Sequence, residues 1–341
     1  MSNYSIGVDL GGTNLRIAAV DEQGKLLEKI TLGTQVALGR ERVITDMCDA
    51  IRQLSGRYSS AGTLQGIGIG VPGIIDMKTG MVRESPNLPG WTDTPVRAEI
   101  EERLGTRVIL ENDANVAALG EKWLGAGRDV EDLAILTLGT GVGGGLVLGG
   151  RVWHGMNGMA GEFGHITIEP EGVRCGCGNR GCLEQYASAS AVVRMAKEAI
   201  ASGTLSELAR AQDPDAEFSA KAVYNLAIQG DDEAKKIFRK VGRALGIALA
   251  GLVNSLNLPM YVIGGGVSSA WDAFSPVIFD ELRQRSMVYA ATAPDNPAAD
   301  TSGASGQVGP EGSDRTIITR ALLGSDAGLY GAARLPMVSP L

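Results

Sequence analysis

The sequence predicts an α/β protein of two domains, on three observations. The chain has 341 residues, about twice the ~150 of a typical domain. Short apolar strands and helical periods follow one another along it. Two strand-turn-strand glycine segments, Val8-Asp9-Leu10-Gly11-Gly12-Thr13 and Leu136-Thr137-Leu138-Gly139-Thr140-Gly141, are alike and lie far apart, so each half opens with the same device. Glycine makes up 48 residues, about twice its usual share, which disfavours a long helical bundle.

The elements follow in order. Residues 5–9, 15–20 and 25–32 read as a β-meander with turns at Gly11-Gly12 and Asp21-Glu22-Gln23-Gly24. Residues 41–54 place Val43, Ile44, Met47, Ala50, Ile51 and Leu54 at helical spacing. Residues 64–71 form a short apolar strand broken by Gly66, Gly68 and Gly70, ended by Pro72-Gly73. A hairpin is expected over 74–91, a helix over 95–104, a strand over 107–110, and a helix from Asn112-Asp113 through Leu124. After the strands at 134–138 and 146–148 come helices at 188–202 and 219–229, each opening on a serine suited to an N-cap. The helix at 231–256 is acid-rich at its start, as a first turn prefers, and Pro259 breaks it. A strand at 261–263 enters Gly264-Gly265-Gly266. Residues 294–314 are Pro, Gly, Ala, Ser and Asp with almost no large apolar side chain, the composition of a disordered loop. Order resumes at 317–323, with a final helix at 326–334.

Composition excludes several functions. Lysine and arginine total 31 against 39 aspartates and glutamates, a formal charge of −8, and no basic run appears, so a nucleic-acid partner is not expected. No apolar run approaches the ~20 residues of a membrane span, and the first residues lack a signal-peptide pattern. The expected location is cytoplasmic. Only two histidines, His154 and His165, are present, which disfavours histidine-rich metal catalysis. His154 reads as an ordinary surface or core histidine, and Cys48 as a core residue of its helix.

The segment from Asp9 to Arg16 is a glycine loop of the kind that brings backbone N–H groups close to phosphate. Thr13 and Asn14 add donors, and Asp9 at the strand end can hold Mg²⁺ directly or through water. Taken alone it is equally a tight hairpin turn. The segment 139–145 and Gly264-Gly265-Gly266 are two further loops, and three together suggest a nucleotide held between two domains. Two dinucleotide-type fingerprints, at Gly68–Gly73 and Gly139–Gly144, are discarded, because neither opens a helix in a βαβ unit.

Cys175, Cys177 and Cys182 with His165 ten residues upstream have the spacing of a Cys₃His zinc site. Four protein ligands leave no open position, so such a zinc is structural. Asn112-Asp113 is either an ordinary N-cap or a general base beside an amide that orients a hydroxyl. Glu162 and Glu184 flank the cysteine–histidine cluster, and a shared metal would tie both into one neighbourhood.

At these residues the sequence resembles a known family. Gly161-Glu162-Phe163-Gly164-His165 through Cys175, Cys177 and Cys182 to Glu184 resembles the signature of the ROK family (repressor, open reading frame, kinase). Segment 9–13 resembles the phosphate loop of the wider sugar-kinase, actin and heat-shock ATPase superfamily, segment 111–115 resembles the ROK form of its Glu-Asn-Asp motif, and the matches run from about residue 6 to 266 in the expected order. The likeness is strongest to ATP-dependent ROK glucokinases.

The resemblance implies two ribonuclease-H-like (actin/hexokinase-type) domains flanking a cleft. Residues 1–113 with about 324–341 would form the smaller domain, and 114–323 the larger, with the zinc segment at 165–182. It implies Asp113 as catalytic base, and Asn112, Glu162, His165 and Glu184 as ligands of sugar hydroxyls, with Gly73 adding a backbone contact. His165 would bind zinc through its other nitrogen. Asp9, Gly11, Gly12, Thr13, Asn14, Gly139, Thr140, Gly141, Gly143, Gly264, Gly265 and Gly266 would hold ATP with Mg²⁺. The expected reaction is phosphorylation of a hexose, glucose first, with N-acetylmannosamine, fructose or allose as alternatives, by a homodimer or homotetramer. Polyphosphate as donor is disfavoured, because relatives that use it tend to lack the zinc segment. ROK repressors carry a DNA-binding segment before the phosphate loop, for which Asp9 leaves no room. Two readings outside the kinases are a sugar sensor without catalysis, against which Asp9 and Asp113 argue, and a zinc redox or interaction module, which leaves the glycine loops unexplained.

Overall fold

The computed structural model describes residues 3–60, 62–85, 87–204, 218–294 and 314–338. Apart from its two end residues, the expected loop at 294–314 lies outside them.

Strands β1 (Tyr4–Leu10), β2 (Asn14–Asp21) and β3 (Leu26–Gly33) form the meander. Strand β4 (Leu64–Val71) joins β1 in parallel. A small hairpin, β5 (Ile74–Asp76) and β6 (Met81–Glu84), precedes β7 (Ile109–Asn112), which is parallel to β4. The sheet order is β3-β2-β1-β4-β7. A second sheet uses β8 (Leu133–Leu138), β9 (Val142–Leu148), β10 (Arg151–Val152), β11 (Met260–Gly264) and β12 (Ile317–Arg320) in the order β10-β9-β8-β11-β12. In each sheet, counted by its own strands, the order is third, second, first, fourth, fifth. The outer pair of the meander is antiparallel and the last two strands are parallel. This is the repeated mixed α/β unit that the two glycine turns foreshadow.

Contacts divide the chain into two units, one of Met1–Leu133, Gly145–Gly161 and Ser325–Leu341, the other of Ala134–Gly144 and Glu162–Gly324. The first boundary thus falls at Leu133 rather than Asp113. The reason is that helix Asp113–Trp123 packs on the terminal helix Ala327–Val338. A Cβ on Gly331 would lie 1.6 Å from the Val116 carbonyl oxygen, so only glycine allows these two backbones to touch.

In the first unit, alternation along β1 sends Ile6, Val8 and Leu10 to one face, where they pack with Ile44, Met47, Ile51 and Leu54 of helix Arg40–Tyr58. Cys48 is buried in that core, as expected. The opposite face takes the terminal helix through Leu329 and Ala333. Gly7 and Gly68 point there, and a Cβ on either would sit 2.4 Å or less from a helix carbonyl oxygen. The glycines that break up the β4 sequence pattern thus include a seat for a helix.

In the second unit, helices Asp232–Leu256 and Trp271–Arg285 pack together beside the sheet. Ser188, Ser219 and Asp231 are N-caps, each accepting from the N–H three residues on. Among the described residues no helix is long and apolar enough to cross a membrane.

Candidate active site

Strand β7 ends at Asn112 and a helix begins at Asp113 without an intervening loop. Asn112 is the N-cap, its Oδ1 accepting from the N–H groups of Ala114 (2.9 Å) and Asn115 (3.2 Å). Its Nδ2 donates to the Gly73 carbonyl at 3.0 Å. Gly73 has φ +117°, and a Cβ there would lie 2.1 Å from the Glu84 carbonyl oxygen, which fixes the turn that receives the amide. The Asp113 carboxylate, half-buried, accepts from the Ala114 N–H at 2.9 Å. It stands in the first turn, where the helix dipole favours a negative charge.

In the same unit, Asp9 is the next-to-last residue of β1 and pairs with Arg16 across the meander at 3.1 Å. Burial raises its carboxyl above the usual range, Arg16 opposes this, and Asp326 adds to it. Gly328, in the first turn of the terminal helix, comes so close that a Cβ would be 2.9 Å from Asp9 Oδ1. Gly12, Thr13 and Asn14 are exposed, and the turn is fixed from behind by the Thr34 hydroxyl on the Gly11 carbonyl at 2.7 Å. Exposed N–H and hydroxyl donors next to a carboxylate suit a phosphate with its cation.

The second unit gathers the cysteines. His165, Cys175, Cys177 and Cys182 present donor atoms within 4.8 Å of one another. Cys175 Sγ lies 3.7 Å from His165 Nδ1, and Cys177 Sγ lies 3.7 Å from Cys182 Sγ. A tetrahedral ion with metal–sulfur bonds of ~2.3 Å has ligand edges of about 3.8 Å, so donor set and spacing fit zinc. Gly178 and Gly181 turn the loop with φ of +94° and +69°. Burial pushes the Cys182 thiol up to about 12, while the Asn179 backbone lowers that of Cys177. A divalent cation would offset the cost of charging the buried sulfur. With Nδ1 toward the sulfurs, His165 Nε2 faces Glu162 Oε2 at 3.9 Å.

Glu184 opens a short helix two residues after Cys182 and accepts from the Val142 N–H at 3.0 Å. A Cβ on Gly141 would lie 2.2 Å from its Oε2, so the carboxylate rests against the second glycine turn. That turn is residues 139–141. Its carbonyls are held by the start of helix Ala189–Ala201, Gly139 by the Ala189 N–H and Thr140 by the Ser190 hydroxyl, both at 2.8 Å. Beside it a pocket of about 400 Å³ is lined by Gly139, Thr140, Lys221, Tyr224, Gly266 and Ser269, with Phe238 and Val267 among its apolar side chains. Two of the three glycine loops therefore meet in one pocket. Gly265 makes that possible, since at φ +80° a Cβ would lie 2.5 Å from Leu138 backbone atoms. Gly143 lies within strand β9 and Gly264 ends β11, so the loop read at 139–145 is shorter than expected.

A profile of the ROK family matches residues 5–336. The chain belongs to the ROK family. It is 39% identical over 334 residues to a glucokinase of Halalkalibacterium halodurans, covering 97% of this chain and 94% of that one. It is 41% identical over 284 residues to a glucokinase of Thermotoga maritima, covering 83% and 87%. The crystal structure of a ROK family glucokinase from Streptomyces griseus in complex with glucose and AMPPNP is similar at a TM-score of 0.72 and 35% identity, covering 97% of this chain and 98% of that one.

Three features of this ROK chain escaped the sequence reading. Lys221 and Tyr224 reach the pocket from helix Ala220–Gln229, whose i, i+3 spacing puts them on one face. Helix Trp271–Arg285 carries Pro276 within it, so its sequence lacks an unbroken helical signal. Nor is His154 an ordinary histidine, because its Nε2 meets Glu111 Oε2 at 2.6 Å. No local pattern announces a pair 43 residues apart.

Proposed function

We propose that this ROK protein is an ATP-dependent hexose kinase that converts glucose to glucose 6-phosphate. The observation that carries the reading is its likeness, along nearly the whole chain, to proteins described as glucokinases, one of them solved with glucose and AMPPNP.

The residues fit the chemistry. Phosphoryl transfer needs positioning and charge stabilisation more than covalent catalysis. Asp113 takes the proton of the attacking sugar hydroxyl as the new O–P bond forms and the bond to the departing ADP breaks. A helix N-terminus favours the negative charge that task needs. Asn112, Glu162, His165 and Glu184 bind the remaining hydroxyls, each of which offers a donor and an acceptor, and Gly73 adds a backbone contact. The 139–141 turn and Gly264-Gly265-Gly266, with Lys221 and Tyr224, form the nucleotide pocket. Asp9, Gly11, Gly12, Thr13 and Asn14 serve the phosphates. Mg²⁺ bound with ATP supplies neutralising charge on the phosphate oxygens, and Asp9 is the residue suited to it. His165, Cys175, Cys177 and Cys182 would hold a zinc ion, which would supply rigidity and leave His165 Nε2 for the sugar. A cytoplasmic homodimer or homotetramer goes with this reading.

Asp113→Asn tests the base. Turnover should fall by about 10²–10⁴-fold, with glucose affinity in calorimetry largely kept. Near-normal turnover would remove Asp113 from the role.

A further inference from the structure

Glu111 precedes the Asn112-Asp113 junction and is buried, 2% exposed. Its two carboxylate oxygens face different ways. Oε1 accepts from the Asn112 N–H and from Asn115 Nδ2, both at 2.9 Å, which ties it to the N-cap and to the first helical turn. Oε2 meets His154 Nε2 at 2.6 Å. His154 is itself anchored, its carbonyl accepting from the N–H groups of Gly158 (3.0 Å) and Ala160 (3.3 Å). A buried carboxylate needs a charged or hydrogen-bonding partner to stay in place. Glu111 has one such partner in His154, and spends its other oxygen on the backbone that carries Asp113.

We propose that Glu111 and His154 are a positioning pair that holds the Asn112-Asp113 junction in the geometry the sugar hydroxyl requires. The inference rests on the kinase reading above, and neither residue touches the reacting atoms in it. Without His154, Glu111 Oε2 is left buried without its partner, and the carboxylate turns away to find another. That turn loosens the Asn112 N–H and the Asn115 side chain, and Asp113 with them.

Three variants and two readouts test it. In His154→Ala, kcat for hexose-dependent ADP release should fall about tenfold to a hundredfold, the cost of a small misplacement, with KM for ATP unchanged. His154→Gln keeps a donor for Glu111 and should restore most of the turnover. Glu111→Gln placed in the His154→Ala background removes the unpaired charge and should recover part of it. Independently of activity, hydrogen exchange at the Asn112, Ala114 and Asn115 amides should rise about tenfold in His154→Ala, with helix Asp232–Leu256 unaffected. Turnover of His154→Ala close to the parent's would overturn the proposal. So would unchanged exchange at those three amides, or a loss that His154→Gln shares in full. Should His154→Ala fail to fold, His154→Asn, whose shorter amide stops short of Glu111 Oε2, takes its place with the same expected losses and the same contradicting results. A parent protein that releases no ADP with any hexose would instead sink the kinase reading, and the exchange measurement would still decide whether the pair positions the junction.

Discussion

Asp113, the proposed base, and His154, the proposed positioning residue, differ in how they show themselves, one visible from its neighbours in sequence and one not. Asn112-Asp113 stands out because a strand that gives way to a helix needs an N-cap, and the cap amide and the carboxylate then occupy fixed places. His154 is defined by Glu111, which only the fold brings to it. Glu111 raises the His154 pKa above its ordinary ~6.5, more than burial lowers it. The stabilising contribution of the pair is therefore complete below pH ~6.5 and disappears as pH rises through the raised value. An NMR titration is simple to assign with only two histidines in the chain. It should show His154 titrating above the ordinary value and falling back toward it in Glu111→Gln. A His154 that titrates at or below the ordinary value, unmoved by that substitution, would refute the assignment.

Among the elements, those set by local chemistry were legible and those set by packing were not. Strand β4 coincides with its expected range, and Ser188, Ser219 and Asp231 cap the helices they announce. The run Gly143-Gly144-Gly145 reads as loop but lies in strand β9. Gly145 is glycine because a Cβ would lie 2.8 Å from the Ala114 carbonyl oxygen, a packing demand that no local pattern reveals. Helix Trp271–Arg285 buries Trp271, Phe274, Ile278, Phe279 and Leu282 at helical spacing, but Pro276 interrupts the pattern. Two experiments address this scale. Gly331→Ala forces a methyl into the Val116 carbonyl and should cost about 1–3 kcal/mol or more in denaturant unfolding. Stability equal to the parent's would contradict the close crossing. Elemental analysis should find about one zinc per chain, bound less tightly in Cys182→Ser, and chelation should lower the melting temperature. Full-length folded protein without zinc, equally stable with and without chelator, would argue against a metal at His165, Cys175, Cys177 and Cys182.

On the scale of the whole molecule, the repeated glycine turn was a faint sign of a repeated sheet. The similarity spans only a few residues because the fold constrains little else. Each half needs a tight turn between its first two strands and small residues where backbones meet, while the remaining core tolerates any apolar side chain of suitable size. Where the cysteine–histidine segment and the Glu-Asn-Asp motif gather polar groups rather than fill a core, the sequence was specific enough to indicate a family. Sugar choice lies beyond such motifs, because carboxylates, an amide and an imidazole match hydroxyls that many hexoses share. The decisive measurement is ADP release from ATP and Mg²⁺ by zinc-replete protein with glucose, mannose, fructose, N-acetylglucosamine and N-acetylmannosamine supplied singly. The account predicts strong release that selects glucose. Release selective for another of these sugars would contradict the assignment to glucose, and no release with any of them would contradict the kinase itself.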